Sequence, residues 1–370
     1  MEIKIARSEM QKGLGLVQGI VERKTTMPIL ANVLIEANAK SLSITATDLE
    51  VGMNCILQGE VIEKGKVTVH ARSIYNIVKE LPEETVHMTV KEGSWIEIKC
   101  GKSRYKIVGL SSDEFPALPT KGEGDLWKVE GGILSQMMEK TSFAMSTDET
   151  RFNLNGVYLD PVKGKDGISL RMVATDGHRL SIVEREVGKK CGIQKGVIVP
   201  RKGVSELKKL VESGESPLDV WTDAKHIIAY RDNITLVVRL IDGQFPPYEQ
   251  VIPKSSKRVV SIGRETLRHA LKRVSVLSTD RARGVKFSVS PKNLEIFASN
   301  PDLGEAREEL DVDYKGESFE VGFNARYFLD AIDAIEDEQA VLQMGDETSP
   351  CVVRSEKDRG FTHVIMPMRL

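Results

Sequence analysis

The stretch Ala174-Thr175-Asp176-Gly177-His178-Arg179-Leu180 is the one place in this chain where residue type and spacing suit acid–base chemistry. A carboxylate and an imidazole two residues apart on a turn can exchange a proton with a bound substrate. The same residues also read as an Asp-Gly turn after a strand, with its polar tips in water. Comparable positions hold Asp48-Leu49-Glu50 and Asn300-Pro301-Asp302 without histidine, so any catalysis would be confined to one of three similar places. The other histidines are His70, His87, His226, His269 and His363; none has metal-ligand spacing with another, and no G-x-S-x-G or H-E-x-x-H motif occurs. Cys55, Cys100, Cys191 and Cys351 are far apart, with no C-x-x-C pair, which speaks against a metal site or a disulfide framework. Gly13-Leu14-Gly15-Leu16-Val17-Gln18-Gly19 looks like a phosphate loop, but its third glycine comes one residue late. It also lies inside an apolar helical stripe, where backbone N–H groups are already bonded, so close helix packing is the better reading. These residues imply no metal and no cofactor.

Binding chemistry is better represented. Arg264, Arg268, Lys272 and Arg273 share one helical stretch; Arg201, Lys202, Lys208 and Lys209 share another; Arg23, Lys24 and Arg72 form a third group. Solvated helix faces explain such clusters in the ordinary case. The functional alternative is a set of helices that follow phosphates without reading bases. The stretch from Arg326 to Glu338 is acidic, so such a surface would not be uniform. The C-terminus, Val364-Ile365-Met366-Pro367-Met368-Arg369-Leu370, is apolar almost to its last residue. A final strand accounts for Val364 and Ile365; the methionines and leucine beyond suit a surface that repacks around partners.

The elements that position these residues recur three times, with Ala46, Ala174 and Ala298 standing 128 and 124 residues apart. That period is the size of a domain. Each repeat opens with an amphipathic helix, a polar turn and a strand. The helices carry Met10, Leu14, Val17 and Val21, then Ile133, Met137, Met138, Thr141 and Met145, then Leu267, Leu271, Val274 and Leu277. The strands that follow are expected at 29–35, 154–159 and 285–289. A strand ending in Ala-Thr-Asp or Ala-Ser-Asn comes next, then a strand leading into a second helix, then a hairpin. Alternation such as Trp95-Ile96-Glu97-Ile98-Lys99 marks half-buried antiparallel strands. The expected fold class is therefore α+β, two helices packed on antiparallel sheet in each of three tandem domains. Joints rich in proline and glycine place the domains at 1–122, 123–253 and 254–370.

Composition agrees with a folded chain of two or three domains: 370 residues, 41% hydrophobic, 29% charged, formal net charge −2. No apolar run is long enough to span a bilayer, and the charged, alternating start does not read as a signal peptide, so a cytoplasmic protein is expected.

Several motifs in fixed order then carry a resemblance. They are Met27-Pro28-Ile29-Leu30-Ala31-Asn32, Ala46-Thr47-Asp48-Leu49-Glu50, the Ala174–Leu180 turn, Val199-Pro200-Arg201-Lys202-Gly203, Asp242-Gly243-Gln244-Phe245-Pro246 and Met366-Pro367-Met368-Arg369-Leu370. Over its whole length the chain resembles the bacterial sliding clamps, the β subunits of DNA polymerase III. The resemblance implies a head-to-tail homodimer, each chain forming half of a closed six-domain ring around duplex DNA. It implies a processivity factor that tethers the replicative polymerase and other replication and repair proteins, with a clamp loader to open it, and no catalytic residue or cofactor of its own. Lys24 and Arg72 match DNA-contacting positions; Phe152 and Asn153 stand where the family can have a tyrosine pair; Arg201 and Lys202 add charge nearby. The implied partner-peptide pocket comprises Leu154, Thr175, Gly177, His178, Arg179, Leu180, Pro246, Val251, Asn324, Tyr327, Val364, Met366, Pro367, Met368, Arg369 and Leu370, with Gln250 where the family can carry arginine at the rim. The implied dimer joint sets Tyr105 and Ile107 on an edge strand against Val276 and Leu277. Two other readings remain: an enzyme acting through Asp176 and His178, and a repeat protein that assembles without DNA.

Overall fold

In the computed structural model the described residues are all except 23–26, 40, 124–125, 164–166, 254–255, 279–282 and 370. Lys24 and Leu370 therefore lie outside the described residues. The first repeat contains β1 (Glu2–Ala6), α1 (Arg7–Val17), β2 (Asn32–Ala37), β3 (Leu42–Thr47), β4 (Val51–Leu57), β5 (Glu60–Glu63), β6 (Gly65–His70), α2 (Ala71–Glu80), β7 (Thr85–Val90), β8 (Trp95–Cys100) and β9 (Ser103–Val108). The second contains β10 (Trp127–Val129), α3 (Gly131–Thr141), β11 (Gly156–Lys163), β12 (Ile168–Thr175), β13 (Arg179–Gly188), β14 (Val197–Pro200), α4 (Arg201–Glu212), β15 (Leu218–Thr222), β16 (His226–Arg231) and β17 (Ile234–Arg239). The third contains β18 (Arg258–Gly263), α5 (Arg264–Ser275), β19 (Gly284–Ser290), β20 (Asn293–Asn300), β21 (Gly304–Asp311), β22 (Phe319–Asn324), α6 (Ala325–Asp333), β23 (Gln339–Met344), β24 (Cys351–Arg354) and β25 (Phe361–Ile365).

Two compact units result, and they cut across the second repeat. One comprises Met1–Leu134, Lys190–Ile193 and Lys202–Leu240; the other comprises Ser135–Lys189, Gln194–Arg201 and Ile241–Leu370. The first unit holds a five-stranded sheet, β5-β1-β7-β8-β9, and an eight-stranded sheet, β10-β15-β16-β17-β4-β3-β2-β6. The second unit holds an eight-stranded sheet, β14-β11-β12-β13-β25-β24-β23-β18, and a four-stranded sheet, β21-β20-β19-β22. Each eight-stranded sheet is thus welded from strands of two repeats. The welds are antiparallel, β4 to β17 with Gly52 opposite Val237, and β13 to β25 with Leu180 opposite Val364.

The helices bury the stripes that their spacing predicts: Met10, Leu14 and Val17 on α1, Leu267, Leu271 and Val274 on α5, and Phe328, Ala331 and Ile332 on α6. Each of the larger apolar side chains contributes about 1.5–3 kcal/mol by leaving water. Gly13 is buried inside α1, and a Cβ there would stand 2.6 Å from Leu57 Cδ2, so its role is close packing.

The recurring Thr-Asp turn has a local cause. In the first repeat Thr47 Oγ1 donates to the Val51 carbonyl at 3.1 Å and accepts the Leu49 N–H at 3.0 Å, while Asp48 Oδ1 accepts the Glu50 N–H at 2.9 Å. In the second, Thr175 Oγ1 donates to the Arg179 carbonyl at 2.6 Å and accepts the Gly177 N–H at 3.0 Å, while Asp176 Oδ1 accepts the His178 N–H at 2.9 Å. The two side chains satisfy the turn's donors, which accounts for the pair in both of these repeats. The third residue has positive φ, +76° at Leu49 and +89° at Gly177, a conformation that strains leucine and suits glycine.

Three expected elements are corrected. Residues Pro28–Ala31 form a 3-10 turn, because Pro28 lacks an N–H to give a ladder, and the strand starts at Asn32. Glu149–Leu154 is also 3-10, capped by the Asp148 side chain accepting the Thr150 N–H at 3.0 Å, so that strand starts at Gly156 rather than Leu154. The acidic helix ends at Asp333 rather than Glu338.

Candidate functional site

The second unit brings four residues of the expected pocket, His178, Arg179, Asn324 and Tyr327, around one cavity with a buried cation. Arg179 is 7% exposed. Its Nε donates to Asp176 Oδ2 at 3.0 Å, Nη1 to Asp330 Oδ2 at 2.5 Å and Nη2 to the Phe143 carbonyl at 2.5 Å. The guanidinium also lies over the Tyr327 ring, 4.5 Å from its centroid. A buried charge is tolerated only with such partners. Arg179 thereby ties β13 to α6 and to the turn after α3. Around it opens a cavity of about 600 Å³ whose lining includes His178, Asn324, Tyr327, Arg151, Arg201 and Arg326. Burial pushes the Tyr327 phenol above its ordinary pKa, with Asp176 adding to the shift, so it stays neutral.

Asp176 is not set up as an acid–base partner. Its two oxygens are taken by the His178 and Arg179 amides and by the Arg179 side chain. Among the described residues no hydrogen bond joins the Asp176 carboxylate to the His178 ring, which is exposed. The enzymatic reading loses its pair.

Next to Arg179 in the sequence, Leu180 belongs to a buried apolar cluster. Leu180 and Val364 pack in one cluster with Val173, Ile182, Tyr248 and Val352, flanked by Tyr158, Phe245 and Ile252. The strap that covers this cluster carries Pro246, exposed, and Val251, 42% exposed. Tyr158 and Phe245 stack at 4.9 Å, almost parallel. The tail continues past β25: the Met366 N–H donates to the His178 carbonyl at 2.9 Å and the Met368 N–H to the Gly322 carbonyl at 2.9 Å. Met366 is 37% exposed, Pro367 and Met368 are half-buried, and Arg369 is exposed. Leu154 and Thr175 are buried; Gly177 is exposed.

The basic residues are placed unevenly. Arg72 is exposed on the first turn of α2. Arg201 opens α4, with Nη2 donating to the carbonyls of Met145 and Ser146 at 2.8 and 2.9 Å; burial and the nearby Arg179 lower its pKa. Lys202 is spent inside the first unit, on Asp48, the Ile20 carbonyl and Glu22. Arg264, Arg268 and Arg273 on α5 pair with Glu265, Asp333 and Glu308, and Lys209 with Glu206. These basic residues are therefore largely neutralised, Arg264 and Lys209 by carboxylates close in the chain and Arg268 and Arg273 by distant ones. Phe152 is 56% exposed, and Asn153 donates to the Gln244 carbonyl at 3.0 Å. Tyr105 and Ile107 lie on β9, an edge strand, where Tyr105 is 38% exposed; Val276, just past α5, is 72% exposed, and Leu277 is half-buried.

Sequence reasoning missed Phe143 and Asp330, which hold Arg179. The spacing of Arg326 and Asp330 marks a helical pair, but nothing local links Asp330 to Arg179. Among the described residues no group of three His, Cys, Asp or Glu side chains could hold a metal, and no helix is long and apolar enough to cross a membrane.

Repeated α+β domains whose buried Arg179 cluster is committed to structure, and whose docked tail leaves Met366 exposed, fit a binding scaffold. Family models for the N-terminal, central and C-terminal domains of the DNA polymerase III beta subunit match residues 1–119, 128–247 and 249–369. The beta sliding clamps of Caulobacter vibrioides, Pseudomonas putida and Escherichia coli K12 are 36%, 37% and 34% identical, each over all of both chains. A crystal structure of the Caulobacter crescentus clamp superposes with TM-score 0.96 at 35% identity, covering all of this chain and 99% of that one. The clamp of Bartonella birtlesii bound to griselimycin gives 0.95 at 34% identity, with full coverage of both. The chain belongs to the DNA polymerase III beta subunit family, the bacterial sliding clamps. It is a DNA sliding clamp for polymerase processivity and not itself an enzyme.

Proposed function

We propose that two copies of this chain close head to tail into a ring on duplex DNA in the cytoplasm, with three domains per chain at 1–122, 123–253 and 254–370. The carrying observation is the way the repeats are welded. Strand β4 of the first repeat meets β17 of the second, and β13 of the second meets β25 of the third. By position in the repeat, β4, β13 and β21 are equivalent, and so are β9, β17 and β25. That leaves β21 and β9 as the two edges of their kind without a weld. A second copy supplies the missing partner for each, and the contact is heterologous, as a ring requires. Tyr105 and Ile107 belong to β9, and Val276 and Leu277 follow α5, which packs on β20 and β21. Arg72 and Arg201, with Lys24, supply base-independent phosphate contacts that let the ring slide, while Phe152 and Asn153 offer a neutral contact. Lys202 supports Asp48 in this reading rather than DNA.

The cleft around Leu180, Val364 and the Met366–Leu370 tail takes short peptides with apolar anchors from the polymerase, the loader and repair proteins. The test is fluorescence anisotropy with a labelled Gln-Leu-x-Leu-Phe peptide on the full chain and on one lacking Met366 to Leu370. Saturable binding that is lost on truncation is expected. A folded, intact chain that does not bind refutes the cleft.

A further inference from the structure

The strap over the second unit's sheet is held differently from its counterpart in the first. Phe115-Pro116-Ala117-Leu118-Pro119 and Phe245-Pro246-Pro247-Tyr248-Glu249 occupy the same place in their repeats. In the first unit Phe115 packs with Ile29 and Leu30, and Leu118 packs with Trp221, Ile228 and Val237. Leu118 also fills the notch over Gly52, where a Cβ would come within 2.3 Å of its Cδ2. At these points the side chains of that strap are held by apolar contact.

In the second unit the corresponding points are polar. Arg171 Nε and Nη2 donate to Glu184 Oε2 at 3.1 and 2.9 Å. Its Nη1 donates to Tyr248 Oη at 3.0 Å and to Glu249 Oε1 at 2.9 Å. Tyr248 Oη in turn donates to Asp160 Oδ2 at 2.9 Å. Arg171 and Glu184 face each other across β12 and β13, and the same register in the first repeat holds Ser43 and Ile56. The latch is therefore peculiar to the strap that carries Pro246 and Val251. Because its acceptors sit on a fixed strand and on the strap, it sets the strap's height above Leu180 and Val364.

We propose that Arg171 is a positioning residue for partner binding: by holding Tyr248 and Glu249 it sets the width of the apolar cleft. This rests on the cleft's being the peptide site. The test uses the full chain, the labelled Gln-Leu-x-Leu-Phe peptide, and amide exchange over residues 246–252, whose turn bonds run from the Tyr248, Gln250 and Ile252 N–H groups. Arg171→Ala is expected to weaken the peptide about tenfold, mainly through faster release, and to speed exchange in the strap. Arg171→Lys, which reaches one acceptor at a time, is expected to fall between. Tyr248→Phe keeps the ring in the cluster and removes the bridging hydroxyl, so it gives the same direction should Arg171→Ala fail to fold. Unchanged affinity in the Arg171 and Tyr248 variants, with the parent binding normally, overturns the latch and leaves the cleft standing. Weaker binding with strap exchange at the parent's rate also overturns it. No binding by the parent removes the cleft, and the latch with it.

Discussion

Acidification is expected to destabilise the second unit through His363. The side chain is fully buried on β25, its ring 5.5 Å from that of Phe143, and neither ring nitrogen has a hydrogen-bond partner among the described residues. Burial, reinforced by the nearby Arg179 charge, pushes its pKa down from 6.5 to about 3. The unfolded chain therefore takes up this proton first. Stability is fully present above pH 6.5 and is lost as pH falls from there toward 3. Integrating the proton uptake gives a loss of about 2 kcal/mol between pH 7 and pH 5 from this residue alone. His363→Leu preserves most of the volume and removes the titration. Urea unfolding followed by far-UV circular dichroism reports on both units. Trp95, Trp127 and Trp221 all lie in the first unit, so tryptophan fluorescence serves as the internal control. The parent's second transition is expected to shift by about 1 M urea between the two pH values, beyond any shift in fluorescence. In His363→Leu that excess should vanish. The same pH-dependent shift in parent and variant would refute the burial argument.

Three further outcomes are expected. Gly156→Ala places a Cβ about 2.2 Å from the Val199 carbonyl oxygen, a backbone atom that cannot rotate away, and should cost about 1–3 kcal/mol in the second unit's urea transition. Ile107→Asp puts a charge in the β9 edge and should raise the dimer dissociation constant at least tenfold by sedimentation velocity, with the fold unchanged by circular dichroism. Arg72→Ala should lower the slope of log affinity against log salt for duplex DNA by about one, without altering sequence preference.

Periodicity made the helices and the repeat legible because each obeys a local rule: an apolar stripe at spacings of three and four, or a Thr-Asp pair closing a turn. The Asp-His pair was misleading for the same reason. The aspartate belonged to the turn, and the histidine, present in one repeat alone, was incidental to it. What escaped were contacts set by strand order. Alternation tells which face of a strand is buried but not which edge meets which, so the welds of β4 to β17 and β13 to β25 could not be read. Nor could Arg268 with Asp333 or Arg273 with Glu308, which turn a basic stripe into ion pairs. Most residues of the proposed cleft were named through family resemblance, whereas Phe143, Asp330 and Arg171 emerged only once distant segments were side by side.

The weld between β4 and β17 has a consequence during synthesis. Strand β4 ends at Leu57 and its partner at Arg239, so about 180 residues must be translated between them. At 5–20 residues per second that is a wait of about 10–40 s. Throughout it, the nascent first domain presents an open edge whose alternating residues, Val51, Met53 and Cys55, are all buried in the finished sheet. The strand that ends the wait comes from the following repeat, so the N-terminal domain completes its sheet only when its neighbour has nearly emerged. The timing of elongation over residues 58–239, and chaperone access in that interval, then bear on the yield of folded protein, even though neither changes its final stability.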